Sequence, residues 1–74
     1  MQKSQDLQEL HNLAKNLIEL RKQQGMTQQE VSAALNITYQ SYQAYELGKA
    51  VPSLINFIKL AKFYNVSCDK LLER

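Results

Sequence analysis

Leu7, Leu10, Leu13, Ala14, Leu17, Ile18 and Leu20 recur at steps of three and four residues. That spacing puts one apolar stripe along a helix. It predicts a long first helix from about residue 5 to Gln24, with Gly25 where a helix commonly stops. Thr27-Gln28-Gln29-Glu30 follows, a pattern in which Thr27 caps free amides and Glu30 reaches back. Val31, Ala34 and Leu35 supply the apolar side of a short second helix that must end at Asn36, since Asn tolerates the left-handed conformation. Thr38 can cap a third helix, running to about Leu47 and closed by Gly48. Pro52-Ser53 opens a fourth that ends near Asn65, and Ser67 caps a last short one. No stretch alternates with period two, so the pattern predicts no sheet.

The third and fourth helices are unusual in opposite ways. "ITYQSYQAYELGK", residues 37–49, holds three tyrosines and two glutamines but only one acid and one base. Tyr42 and Tyr45 are expected to pack inward with their hydroxyls reaching water, and Tyr39 to be the exposed tyrosine. In the fourth helix, Leu54, Phe57, Leu60, Ala61 and Tyr64 can line a core, which leaves Ile55, Ile58 and Phe63 over. A helix apolar on nearly every side is covered on more than one face. Either a second subunit or the N-terminal extension carrying Leu7 and Leu10 could cover it.

Composition narrows the class. Seventy-four residues suit one small domain, 1–74, and 45% hydrophobic residues is ordinary for a globular chain. The net charge of +2 is mildly basic and decides nothing about nucleic acid. A single cysteine, Cys68, excludes an internal disulfide. The N-terminus has no apolar signal-peptide core, and no apolar run approaches the roughly 20 residues that span a bilayer. The expectation is a soluble, cytoplasmic protein. No Ser/His/Asp set, carboxylate pair or Gly-rich phosphate loop is present, so the expectation is not an enzyme, with no cofactor. His11 has no second ligand at metal spacing, and no metal is expected.

Only Asn36 and Ile37 separate the second and third helices, so the two must cross steeply, as in a unit that presents one helix to the DNA major groove. Leu20-Arg21, Thr27-Gln28, Asn36-Ile37, Tyr45-Glu46, Gly48-Lys49, Pro52-Ser53 and Val66-Ser67 occur in that order. With them, residues 13–72 resemble the helix-turn-helix domain of the phage repressor and Cro family, also called the XRE family. Residues 1–12 lengthen its first helix. Asn36 and Asn65 stand where the family usually has glycine, and Tyr42 where it has an aliphatic residue. The resemblance implies an all-α, compact five-helix domain that binds operator DNA as a homodimer.

By the same resemblance, Tyr39, Gln40, Gln43 and Ala44 face base edges, and Gln28 meets a phosphate, with Gln29, Thr38 and Lys49 as further phosphate candidates. Glutamine matches the donor–acceptor pattern of adenine, and the Ala44 methyl group suits thymine. Arg21 and Glu46 are implied as a partly buried ion pair. Ile55, Ile58, Phe63, Cys68, Leu71 and Leu72 are the candidates for a dimer interface. The reading is a sequence-specific transcriptional regulator, a repressor by preference, acting on double-stranded DNA with helix 38–47 in the groove. The alternatives are an antitoxin paired with a toxin, a restriction–modification controller, or a protein-interaction module that has lost DNA binding.

Overall fold

The computed structural model describes residues 3–74, and side-chain surroundings from residue 8 onward. It has five helices and, among the described residues, no strand: α1 (Lys3–Gln24), α2 (Gln28–Leu35), α3 (Tyr39–Leu47), α4 (Leu54–Tyr64) and α5 (Cys68–Leu72). The side chain of Leu7 lies outside the described part of α1.

Helix starts are set by hydroxyls. Thr27, Thr38, Ser53 and Ser67 each accept from the backbone N–H three residues on, relieving an orphan donor. Thr27 and Glu30 complete a reciprocal capping box. The first four helices end alike, on a left-handed residue: Gly25, Asn36, Gly48 and Asn65 have φ of 69°, 57°, 72° and 57°. The next residue then bonds back to the last turn, as in Met26 N to Arg21 O at 3.3 Å and Ile37 N to Ser32 O at 2.9 Å. Val66 N to Ala61 O and Lys49 N to Ala44 O repeat it at 3.0 and 2.9 Å. After such an end an apolar residue usually turns back on the helix. Met26, Ile37 and Val66 do so, packed against the core. Lys49 takes that place after α3 and is exposed.

Leu13 and Leu17 of α1, Val31 and Leu35 of α2, Tyr42 and Tyr45 of α3, Leu60 and Tyr64 of α4 and Leu71 of α5 form one core. Two helix ends are closed from outside. Lys59 Nζ donates to Leu35 O at 3.2 Å, tying α4 to the end of α2. Asn16 Nδ2 lies 2.8 Å from Leu71 O and 2.7 Å from Glu73 O, and Asn12 Nδ2 is 3.0 Å from Leu72 O. α1 thus clamps the carbonyls that a five-residue helix leaves free.

Three expectations about the core are corrected. Ala34 is exposed, on the outer side of α2. Leu54 is 72% exposed, because the turn after Ser53 starts α4 with its first residue outward. Leu71, expected at an interface, is fully buried. The asparagine clamp holds α5 against α1, with Leu71 inside the core and Leu72 packed at its edge.

Candidate nucleic-acid interface

α2 and α3 are joined through Asn36, Ile37 and Thr38, and this short link fixes α3 against α2. The residues expected to meet DNA lie on two helix starts and one helix face. Gln29, Thr38, Gln40 and Lys49 are exposed, whereas Gln28, Tyr39, Gln43 and Ala44 are half-buried. A shallow open depression lined by Arg21, Thr27, Gln28, Gln29 and Tyr39 connects the end of α1 with the starts of α2 and α3.

Beneath this face lies a polar network. Arg21 donates to Glu46 in fork geometry, Nε to Oε2 at 2.7 Å and Nη2 to Oε1 at 3.0 Å. Its third contact, Nη1 to Met26 O at 3.0 Å, ties in the turn after α1. The Glu46 side chain is 2% exposed and that of Arg21 16%. Burial alone would raise the Glu46 carboxyl, but hydrogen bonds from Arg21, Tyr42 and Gln28 outweigh it and hold it below its ordinary range. The bond to Glu46 holds the Arg21 guanidinium above its own ordinary value. Gln28 therefore does not simply face outward: its Nε2 donates to Glu46 Oε1 at 2.8 Å.

The tyrosine expectation is corrected in the same region. Tyr42 is fully buried, and its hydroxyl meets Tyr64 Oη at 2.7 Å instead of water. Burial, with hydrogen bonds to Glu46 and Tyr64, pushes the Tyr42 hydroxyl far above its ordinary range, and burial also raises Tyr64. Tyr45 accepts from Asn56 Nδ2 at 3.0 Å. Tyr39 is not freely exposed either, since its hydroxyl lies between Gln28 and Gln43. A tyrosine at an aliphatic position demands a polar partner, and Tyr64 already stood among the core candidates, so that pair was within reach of the sequence. Nothing in the sequence pointed from Gln28 to Glu46.

Among the described residues no group of three His, Cys, Asp or Glu side chains could hold a metal. His11 is exposed and Cys68 is a half-buried free thiol. No helix there is long and apolar enough to cross a membrane.

The helix-turn-helix family model matches residues 17–71, well over half of the chain. The chain belongs to the helix-turn-helix family. That family is a class of DNA-binding domains, not of enzymes. The chain is similar to the uncharacterized HTH-type transcriptional regulator YqaE of Bacillus subtilis, at 40% identity over 81% of this chain and 52% of that protein. The HTH-type transcriptional regulator ImmR of the same organism is 39% identical over 82% of this chain and 48% of its own. The cryptic phage CTXphi transcriptional repressor RstR of Vibrio cholerae is 31% identical over 84% and 55%. The chain spans about half the length of these relatives. No solved structure matches the chain significantly.

Proposed function

We propose that this domain binds double-stranded DNA in a sequence-specific manner and regulates transcription, as a repressor, with α3 in the major groove. The observation that carries this reading is the composition of one face. The outer side of α3 offers Tyr39, Gln40, Gln43 and Ala44, which hydrogen-bond or pack without net charge, next to the amide-rich start of α2. Base edges are read by hydrogen bonds and methyl contacts, and phosphates are met by amides and cations at the margins. Gln40 and Gln43 would read bases, while Gln28, Gln29, Thr38 and Lys49 would hold the backbone. Lys49 is favoured because it replaces the apolar residue that closes the three other helix ends of its kind. The names of the relatives, regulators and a phage repressor, support the same class.

Two copies would bind together. Val51, Leu54, Ile55 and Leu47 are 76%, 72%, 69% and 60% exposed, and Ile58 adjoins them. This apolar surface continues from the end of α3 through the following loop into α4. A two-fold axis through it would bring two α3 helices to neighbouring half-sites roughly 34 Å apart. The interface is thus assigned to Leu47, Val51, Leu54, Ile55 and Ile58, with Phe63, Cys68 and Leu72 half-buried at most at its margin. The same surface also favours a second reading, a protein-interaction module.

Binding of the parent protein to its own promoter region and to scrambled duplex decides between them. Preference for the promoter is expected. Gln40→Ala should narrow that preference by about 1–3 kcal/mol, the value of a bidentate base contact. Lys49→Ala should weaken both DNAs alike and flatten the salt slope by about one unit. A parent protein that prefers no DNA would leave the interaction module as the better reading.

A further inference from the structure

Four side chains form one line of hydrogen bonds from the interior to the outer face of α3. Gln28 Nε2 donates to Glu46 Oε1 at 2.8 Å, the Tyr39 hydroxyl donates to Gln28 Oε1 at 3.5 Å, and Gln43 Nε2 donates to the Tyr39 hydroxyl at 3.4 Å. The line starts at a buried carboxylate already paired with Arg21. A carboxylate only accepts, so Gln28 must turn its NH2 group inward and its oxygen outward. That oxygen also only accepts, so Tyr39 must be the donor to it. With its single proton spent, the Tyr39 hydroxyl can only accept from Gln43. The Gln43 NH2 group is then turned toward Tyr39, and its Oε1 has no protein partner among the described residues.

The outer two links are long and individually weak. The orientation they impose does not need them to be strong. Reversing Gln28 would set two acceptors face to face at Glu46, which cannot change its role, and reversing Gln43 would leave the single Tyr39 proton between two acceptor oxygens.

We infer that Glu46 and Tyr39 are positioning residues for base recognition: acting through Gln28, they hold Gln43 so that it meets the groove through its free oxygen. This rests on the DNA-binding reading above and adds a specificity to it. An acceptor presented first favours a base edge bearing an amino group, adenine N6 or cytosine N4, over guanine O6 or thymine O4. The ion pair that joins α1 to α3 and the side chain that reads the base become parts of one oriented unit.

The experiment is a double-mutant cycle on DNA selected from a randomised duplex pool by the parent protein. Tyr39→Phe keeps the ring and removes only the hydroxyl, so the melting temperature should stay that of the parent. The selected site should show adenine or cytosine at the base read by Gln43. Tyr39→Phe should cut discrimination at that base pair by about fivefold, the usual scale of one hydrogen bond, and admit guanine or thymine there. Gln43→Ala should then cost much less in the Tyr39→Phe background than in the parent, because the two changes remove one arrangement. Glu46→Gln, assayed at equal concentrations of folded protein, should relax the same base pair, since an amide permits the line to reverse. Independent, additive costs of Tyr39→Phe and Gln43→Ala would overturn the inference and make Tyr39 a separate base contact. Unchanged discrimination in Tyr39→Phe would overturn it too. A parent that selects no site at all would overturn the DNA-binding reading, and this inference with it.

Discussion

The inner side of α3 and the outer side of α4 depart from the usual distribution of residues in opposite senses. Tyr42 and Glu46 carry polar atoms into the interior, whereas Leu54, Ile55 and Ile58 carry apolar surface out of it. The buried polar atoms are all satisfied: among the described residues no buried side-chain nitrogen or oxygen lacks a hydrogen-bond partner. The exposed leucine and isoleucines have no such completion among the described residues. A satisfied polar cluster adds little over an apolar core while intact, yet is costly to break, because each remaining member is stranded in low dielectric. An exposed apolar patch contributes nothing to the isolated fold and gains only by association. One region should therefore be sensitive in stability and the other in assembly.

The largest effect is expected at Glu46. Glu46→Ala leaves the Arg21 guanidinium without its fork partner and Gln28 without its acceptor. Arg21 keeps some contact with water and its bond to Met26, so the loss should be about 2–3 kcal/mol, below that of a fully buried pair. Glu9→Ala, at an exposed position, should change stability by less than about 0.5 kcal/mol. Equal melting temperatures for these two variants would erase the distinction between the regions. The pH dependence follows from the lowered Glu46 carboxyl. Its contribution is present above the ordinary carboxylate range, and is lost as pH falls through the lower value of the folded state. Parent stability should therefore decline in acid, and Glu46→Ala should decline less steeply. Parallel acid limbs would mean that Glu46 does not carry this dependence.

The tyrosine pair comes next. Tyr42→Phe removes the hydrogen-bond partner of Tyr64 and a hydroxyl that helps hold the Glu46 carboxyl low, and should cost about 1–2 kcal/mol by urea denaturation. Tyr64→Phe removes only the far end of that chain and should cost less. The double variant should cost less than the sum, because the two changes share one hydrogen bond. Additive losses would show that the hydroxyls do not depend on each other.

The helix ends of this fold were legible in the sequence because each is decided locally. Thr27 with Glu30, Thr38, Ser53 and Ser67 announce starts, and Asn36 and Asn65 accept the left-handed turn with φ of 57° each. What periodicity could not give is the direction of single side chains in short helices. Leu54 and Ala34 fit the apolar pattern of their helices and yet face water, while Leu71 looked like surplus surface and fills the core. The Asn16 and Asn12 clamp on α5 was equally hidden, since asparagine on a helix carries no signal of a partner 55 or 60 residues away. In the candidate site the residue types of α3 were readable, but the join between Gln28 and Glu46 was not. It depends on how α2 and α3 cross, which no single stretch encodes.

The smallest effect on the isolated fold, and the largest on assembly, is expected at Ile55. Ile55→Lys replaces an exposed apolar group with a charge that water can solvate in the monomer. Stability extrapolated to low protein concentration should stay within about 0.5 kcal/mol of the parent. The parent's melting temperature should rise with protein concentration if association stabilises it, and that rise should vanish in Ile55→Lys. Sedimentation at tens of micromolar, an order of magnitude near weak affinities, should give a dimer for the parent and a monomer for the variant. Phe63→Ala, by contrast, should weaken the fold itself, since Phe63 packs against the core and meets the Tyr64 ring edge-on at 5.0 Å. A parent that stays monomeric would remove the dimer. A parent that dimerises as strongly with Lys as with Ile at position 55 would move the interface elsewhere. If Ile55→Lys instead unfolds the protein as far as Glu46→Ala does, the outer side of α4 is part of the core after all, and the contrast between the two regions fails.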